Sequence, residues 1–294
     1  MLDPSENRET CKSKGPSGGL AAGLYLVATP IGSARDITLR ALDILATADV
    51  LAAEDTRTLR RLMEIHGVAL GGRPLVAYHD HNGAAQRPRI AAHLEAGRSV
   101  AFASDAGTPL VADPGYALAR EMAAAGHMVT TAPGASAALA ALSLSGLPTD
   151  RFLFAGFLPP ADAARATALA ELASVPATLV VFEAPSRVAR TLRGLLDALG
   201  DREAALCREL TKRFEEVRRG SLSELAAGCE ADPPRGEIVL VIDRDRAAAD
   251  GQTVEAALAR ALGEMSVKDA AQMVAEAYGL KRRDVYQMAL EMER

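Results

Sequence analysis

Five times in its first half this chain runs from a short apolar stretch, through turn residues, into a helical pattern. The apolar stretches are "GLYLVATP", "DVLAAED", "PLVAYHD", "SVAFASD" and "HMVTTAPG". The segments between and after them are "ITLRALDILATA", "TRTLRRLMEIHG", "AAQRPRIAAHLEAG", "GYALAREMAAAG" and "ASAALAALSLSG". These repeat apolar residues at three- and four-residue steps, the period of an amphipathic helix. Short continuous apolar runs separated by helices of roughly 10–15 residues predict βαβ units and a mostly parallel sheet covered on both faces. Pro88, in the third helix, is expected near the first turn, where a missing N–H costs nothing.

The second half repeats the alternation less regularly. Its strand candidates are "RFLFAGFLP", "ATLVVFEAP", "AALCREL", "FEEVRRGS" and "GEIVLVIDRD", and "TKRFEEVRRGSLSEL" reads as a strand running into a short helix. Adjacent strands without long helices between them predict a mixed or antiparallel sheet. Breaks are expected at "GLPTDR", residues 146–151, and at the polar "DRDRAAADGQ", residues 243–252. Three short amphipathic helices follow. The expected organisation is α/β throughout: a disordered tail over 1–22, an N-terminal domain with a mostly parallel sheet over 23–148, a second domain with a mixed sheet over 149–245, and a small helix-turn-helix-like extension over 252–294. A chain of 294 residues is long enough for two cores.

Charge and cysteine usage exclude some classes. A net charge of −5 rules out a uniformly basic nucleic-acid binder, though not a local basic surface. Cys11, Cys207 and Cys229 are odd in number and widely spaced, with no CxxC. That speaks against a disulfide framework or a zinc site and for a reducing cytoplasm, with Cys207 as a buried strand thiol. No apolar run reaches the roughly 18 residues of a membrane span. The opening "MLDPSENRETCKSKGPSGG" has acids near its front and no apolar segment, unlike a secretory signal.

In open α/β sheets ligands bind beyond the carboxyl ends of the strands. Here those ends read "ATPIG", "AEDTR", "YHDHN", "SDAGTP" and "APGAS". Glycine and proline punctuate any such loop, but five in register, two with clustered acids, predict the walls of a binding site. No G-x-G-x-x-G opens a helix after the first strand and no P-loop motif occurs, so dinucleotide and P-loop nucleotide readings lose support. H-E-x-x-H and G-x-S-x-G are absent as well. His79, Asp80 and His81 could ligate a metal, but strand alternation would send the two imidazoles one way and the carboxylate the other, so hydrogen-bonding roles are expected and no metal.

"LYLVATPIGSARDITLRAL", "AAEDTR", "HDHN", "SDAGTPLVADPG", "PGASAALAALSLSGLP", "FEAPSRV", "RELTKRFEE" and "GEIVLVI" follow in this order over residues 24–242. Together they resemble the tetrapyrrole-methylase superfamily of S-adenosylmethionine-dependent enzymes, and within it the bacterial small-subunit ribosomal RNA methyltransferase I family. Tetrapyrrole members usually carry G-x-G-P-G after the first strand. "ATPIG", Ala28 to Gly32, is the form of the ribosomal branch, as is the C-terminal "VKDAAQMVAEAYGLKRRDVYQMALE".

The resemblance implies a two-domain tetrapyrrole-methylase-like fold, a homodimer, S-adenosylmethionine folded between the domains, and methylation of a cytidine ribose 2′-oxygen in the decoding region of 16S ribosomal RNA. It implies cofactor contacts, mostly through backbone, from Pro30, from Asp105, Gly107, Thr108 and Pro109, and from Pro133, Gly134, Ala135, Ser136 and Ala137. Phe182 and Glu183, with Leu206 and Cys207, are carried over on weaker matches.

A ribose hydroxyl is a poor nucleophile at neutral pH, so a base within hydrogen-bond reach is expected. Candidates are His81, Glu54, Asp55 and Lys212, with His79, Glu183 and Glu209 beside them. His81 has a suitable intrinsic pKa and Lys212 would act if desolvated, whereas Glu54 and Asp55 could equally cap the next helix. RNA contacts are expected from Arg57, Arg60, Arg61, His79, Asn82 and Arg213, and from Lys281, Arg282 and Arg283 between the last helices. The partner is then the small ribosomal subunit. Two other readings stay open: a methyltransferase of a corrin or porphyrin precursor, and a non-catalytic RNA-binding module of the same fold.

Overall fold

A computed structural model describes residues 19–244, 246–278 and 280–292. Residues 1–18, with Cys11 and most of the expected tail, lie outside the described residues. The chain forms two compact units. One holds the chain up to Leu144 together with Cys207–Glu216, and the other holds Ser145–Leu206 and the chain from Val217 onward.

The first unit is built on five strands: β1 (Gly23–Val27), β2 (Val50–Ala53), β3 (Leu75–Ala77), β4 (Ser99–Ala103) and β5 (Val129–Ala132). They stand in the order β3-β2-β4-β1-β5 and every neighbouring pair is parallel. Strand alternation divides the core into two layers. Tyr25, Val27, Leu51, Ala53, Ala101 and Ala103 face α1 (Leu39–Thr47) and α2 (Thr56–Ile65). Leu24, Val50, Ala52, Val100 and Phe102 face α3 (Gly83–Glu95) and α4 (Tyr116–Ala124) on the other side. Both faces are covered, which is why the central strands read as unbroken apolar runs. The helix after β5 is α5 (Ala137–Ser145).

Pro88 is a correction. It lies inside α3, at the sixth residue, rather than in the first turn. The helix starts early because the turn before it is tied down: Asn82 Oδ1 accepts from the His79 N–H at 2.9 Å, and the Gly83 N–H reaches the His79 carbonyl at 2.9 Å.

In the second unit β6 (Phe152–Phe157), β7 (Thr178–Glu183), β8 (Glu203–Arg208), β9 (Glu216–Ser221) and β10 (Ile238–Ile242) form a sheet in the order β6-β7-β10-β8-β9. β6 and β7 are parallel and β7 and β10 antiparallel, so the sheet is mixed, as expected. Its strands are not bare of helices, however. α6 (Asp162–Ala173) and α7 (Val188–Leu199) separate β6, β7 and β8, and α8 (Leu222–Ala231) follows β9. Val188, Leu192, Leu195 and Leu199 of α7 pack with Leu179, Val181, Leu206 and Leu240 of the strands in one core.

The polar stretch 243–252 is not a linker throughout. α9 (Arg246–Leu262) starts inside it, where three successive alanines favour helix. With α10 (Val267–Tyr278) and α11 (Arg282–Met292) it buries Leu258, Ala271, Val274 and Val285 in a small separate core.

One polar contact pins the first sheet at its far edge. The Asp49 carboxylate accepts from the Ser99 N–H (2.8 Å) and hydroxyl (2.7 Å), bonds that hold its pKa below the ordinary value. A depressed folded-state pKa gives stability that is present above the unfolded pKa and lost as pH falls through the folded one. Asp49→Ala is therefore expected to lower the melting temperature at pH 7 and to converge on wild type in melts run below the carboxylate range. An equal deficit at both ends would show that the ionised form carries nothing.

Candidate active site

Because all five strands of the first sheet are parallel, all five carboxyl ends lie along one edge. The corners there are bonded to each other. Thr29 and Gly107 exchange backbone hydrogen bonds (N–H to O distances 2.9 and 3.0 Å), the Thr29 hydroxyl donates to the Ser104 carbonyl (3.1 Å), and the Ser104 hydroxyl donates to the Gly107 carbonyl (2.8 Å). The Thr108 hydroxyl then reaches the Ala135 carbonyl at 3.0 Å, tying the β4 corner to the β5 corner. Asp105 Oδ1 accepts from the Asp55 N–H at 2.9 Å, tying it to the β2 corner. Gly107 sits at φ +81°, a left-handed conformation that a side chain would strain. Pro30 and Pro109 are buried in these corners, while Pro133 and Gly134 are exposed and Ala135, Ser136 and Ala137 half-buried.

The segment Cys207–Glu216 closes onto the β1 corner from within the same unit. The expected domain division placed it wholly with the second half. Here the Ser33 N–H donates to Thr211 Oγ1 (3.0 Å), and the Thr211 N–H donates to the Glu215 carboxylate (2.6 Å). The Lys212 ammonium pairs with Glu209 at 3.0 Å. Cys207 is a buried strand thiol, its sulfur 3.9 Å from the Ala141 carbonyl. Among the described residues, the non-glycine positions with positive φ are Leu110, Ala112, Glu209 and Thr211. Two lie in the β4 loop and two in this segment. Left-handed backbone costs such residues of order 1–3 kcal/mol, and it persists where surrounding contacts impose it, commonly at functional sites.

Carboxylates gather at the same edge. Glu54 has its pKa raised, first by burial and then by the charges of Asp105 and Asp80, with His79 opposing. Asp113 is pushed up to about 7 by burial and by Glu54 and Asp105. Asp55 goes the other way. It caps α2, accepting from the Arg57 N–H at 2.8 Å and from the Arg57 guanidinium at 2.6 Å, and these bonds hold it at about 2. A carboxylate so engaged is a poor proton acceptor, so the two acids of "AEDTR" have separate roles.

The other expected residues fall in several places. β3 ends at Ala77, so His79 to Asn82 form a turn and the alternation argument does not apply to them. The rings of His79 and His81 stand edge to face, centroids 6.0 Å apart, and His81 is exposed. Asn82 is occupied by the turn, with its amide also donating to the Ala77 carbonyl at 3.1 Å. Arg57, Arg60 and Arg61 line the exposed side of α2, opposite buried Leu59 and Met63. Arg213 lies over the exposed ring of Phe214, 5.4 Å from its centroid.

In the second unit, Phe182 packs edge to face with Phe154 and Phe157, at 4.8 and 5.5 Å. Leu206 is fully buried. Glu183 is buried and fully engaged, with Arg187 at 2.6 Å, the Thr191 hydroxyl at 2.6 Å and the Ala184 N–H at 2.7 Å, which suits structure better than proton transfer. Lys281, Arg282 and Arg283 are exposed at the start of α11.

Tyr78, Arg87, Asp113 and Tyr116 are not among the expected site residues. They line a cleft of about 300 Å³ beside the acidic corner. The one signal for it was the second acid in "SDAGTPLVADPG", placed just before a helix start.

The family model for Tetrapyrrole (Corrin/Porphyrin) Methylases matches residues 23–226, and one described as RsmI C-terminal HTH domain matches residues 247–293. A protein of Mesorhizobium japonicum named Ribosomal RNA small subunit methyltransferase I is 48% identical over 281 residues, covering 95% of each chain. A protein of the same name from Vibrio cholerae is 42% identical, covering 91% of this chain and 94% of its own. Among solved structures, the methyltransferase CobJ superposes with a TM-score of 0.59 at 18% identity over 78% of this chain and 95% of its own. Uroporphyrin-III C-methyl transferase from Thermus thermophilus, complexed with S-adenyl homocysteine, gives 0.51 at 23% identity over 74% and 96%. At these identities the structures speak for the fold alone.

Proposed function

The chain belongs to the ribosomal RNA small subunit methyltransferase I family of the tetrapyrrole methylases, and from that premise we propose that it transfers a methyl group from S-adenosylmethionine to ribosomal RNA of the small subunit. The finer reading is a cytidine ribose 2′-oxygen in the 16S decoding region, methylated in the assembled subunit by a cytoplasmic homodimer. Among the described residues no helix is long and apolar enough to cross a membrane.

The observation that carries the reading is the bonded edge formed by Thr29, Gly107, Thr108 and Ala135. Its chemistry fits the donor. Gly134 is exposed and Ala135 and Ala137 are half-buried, so the small residues of the β5 corner let a ligand approach its backbone closely. Asp105 lies at the same edge, where its charge adds to burial in raising the Glu54 pKa, and a cationic sulfonium beside Asp105 offsets that charge. When bound, S-adenosylmethionine supplies the methyl group.

The chain's own residues hold and orient. Pro30, Pro109 and Pro133 stiffen the three corners. Fixing acceptor and donor in line can contribute about 7–11 kcal/mol toward the barrier. Glu54, half-buried and with a raised pKa, is the better of its loop's two carboxylates to take the hydroxyl proton, and exposed His81 is the other candidate. Arg57, Arg60 and Arg61 offer charge for phosphates next to this edge, and the basic start of α11 offers more.

The test is incubation with labelled S-adenosylmethionine and either small ribosomal subunits or a precorrin extract. Label is expected in the RNA. Donor at 100 times its Kd is expected to add about 2.7 kcal/mol of stability, read as a rise in melting temperature. Label in the corrin fraction, or no thermal shift, would overturn the reading. Comparing Glu54→Gln with His81→Ala separates the two candidate bases, the true one losing turnover while donor affinity holds.

A further inference from the structure

The cleft lined by Tyr78, Arg87, Asp113 and Tyr116 lies between the turn after β3 and the loop that enters α4. At about 300 Å³ it is at the small end of ligand pockets. Tyr78 is buried and stands edge-on to Phe102, 5.4 Å between centroids. Arg87 pairs with Glu121 at 2.6 Å and hydrogen-bonds the Tyr78 hydroxyl, so its charge is already matched. Tyr116, at 67% exposure, presents a ring that the Arg120 guanidinium approaches to 5.5 Å. Such a tyrosine–arginine pair is a platform for a flat, polar ring.

Asp113 enters this cleft from a strained loop, with Leu110 at φ +72° and Ala112 at φ +60° just before it. The charged and titratable groups around it are Glu54 from the β2 end, Asp105 from the β4 end, Asp80 and Arg87 along the cleft, and the two tyrosines. Burial and the first two carboxylates raise its pKa to about 7, so near neutral pH much of it is the neutral acid. A neutral carboxyl presents an O–H donor and a C=O acceptor side by side in one plane. That pair matches a ring nitrogen acceptor next to an exocyclic amine. Cytosine and adenine carry this edge. Because the proton can sit on either oxygen, the neutral carboxyl also meets the N–H and carbonyl of uracil or guanine, whereas the ionised form, with acceptors only, loses the match to cytosine and adenine.

Resting on the RNA reading above, we propose that this cleft receives the acceptor nucleobase, with Asp113 hydrogen-bonding its Watson–Crick edge and Tyr116 stacking on the ring. As pH rises through the ionisation of Asp113, the donor is lost and a third negative charge joins Glu54 and Asp105, so RNA affinity falls on the alkaline side.

The test uses the full chain with small subunits. Asp113→Ala is expected to raise KM for the subunit by roughly tenfold or more, the worth of one bidentate base contact, with Kd for S-adenosylmethionine unchanged. Asp113→Asn, whose amide also sets a donor beside an acceptor, is expected to recover most of that loss and to flatten the pH dependence. Tyr116→Ala is expected to raise KM without altering the pH profile. An unchanged KM in Asp113→Ala, or an asparagine variant no better than alanine, overturns the proposal while leaving methyl transfer by the wild type standing. If wild type labels no RNA, the functional reading falls instead. Binding of oligo-C that weakens from wild type to Asp113→Ala would then still support the cleft, and equal binding by the two proteins would reject it.

Discussion

Gly32→Ala is expected to cut methyl transfer on the order of a hundredfold, the scale reported for misplacing reacting groups by about an ångström. A Cβ at Gly32 would stand 2.6 Å from Lys212 Cγ, 2.6 Å from Thr211 Oγ1 and 2.8 Å from the Leu210 carbonyl oxygen. The lysine stem can swing away. The carbonyl cannot, and Thr211 is held by the Ser33 N–H at 3.0 Å and by its own N–H bond to Glu215 at 2.6 Å. Either the β1 corner or the 207–216 segment must shift. The β1 corner is the one bonded through Thr29 to Gly107, so the shift passes to the bonded edge. Overpacking of this kind also costs about 1–3 kcal/mol of stability. Gly228→Ala is the control: it lies within α8 with nothing within 4 Å of its Cβ, and is expected to gain about 0.5–1 kcal/mol. Turnover at saturating substrates, with melts of both variants, decides the matter. Wild-type turnover in Gly32→Ala would mean that the approach of 207–216 to the β1 corner is incidental.

The parallel sheet was legible because its strands are buried on both faces. Leu24 to Val27, Val50 to Ala53 and Val100 to Ala103 read as continuous apolar runs, the form a doubly covered strand takes, and their shortness and the turn residues that bound them set them apart from helices. The corners were legible because their proline and glycine residues sit at strand ends in register.

What was not legible is mostly non-local. Nothing in "RELTKRFEE" shows that it folds onto the first unit, since the close approach at Gly32 joins residues almost 180 positions apart, as the Ser33–Thr211 bond does with a separation of 178. Local propensity points away from the observed backbone there, because Thr211 is β-branched and yet left-handed at φ +63°. α6 hides because its apolar face is nearly all alanine, with Leu169 its one fully buried large side chain. α7 is different: Val188, Leu192, Leu195 and Leu199 stand at helical steps, a signal that the irregular setting of the second half obscured. Asp105 and Asp113 look equivalent in "SDAGTPLVADPG". In the fold the Asp105 carboxylate accepts from the Asp55 N–H while Asp113 lines the cleft, and neither placement can be read from the string.

The second large effect is expected at Phe102→Ala, with a loss of about 3–5 kcal/mol. Phe102 is fully buried on β4, the central strand of the first sheet. It packs with Leu24, Val100, Ile90 and Leu118, so most walls of the space it leaves belong to strands and helices that cannot easily collapse inward, with Tyr78 and Gly115 of the neighbouring turns closing the rest. Against a typical total of about 5–15 kcal/mol, that removes about a fifth or more of the stability of an average domain. The ring also backs the proposed base cleft. It stands edge-on to Tyr78, and its Cε1 lies 2.7 Å from where a Cβ on Gly115 would be. Removing it frees both residues to shift, so RNA binding is expected to weaken even at temperatures where the variant stays folded. Phe102→Leu, which keeps most of the volume, is expected to lose less than about 1.5 kcal/mol and to retain the cleft. Urea midpoints of the three proteins, with subunit KM measured well below each melting temperature, separate the effects. A loss below about 1 kcal/mol for the alanine variant would show that the layer between β4, α3 and α4 closes over the gap, and the rigid sheet assumed to position the corners would then be in error.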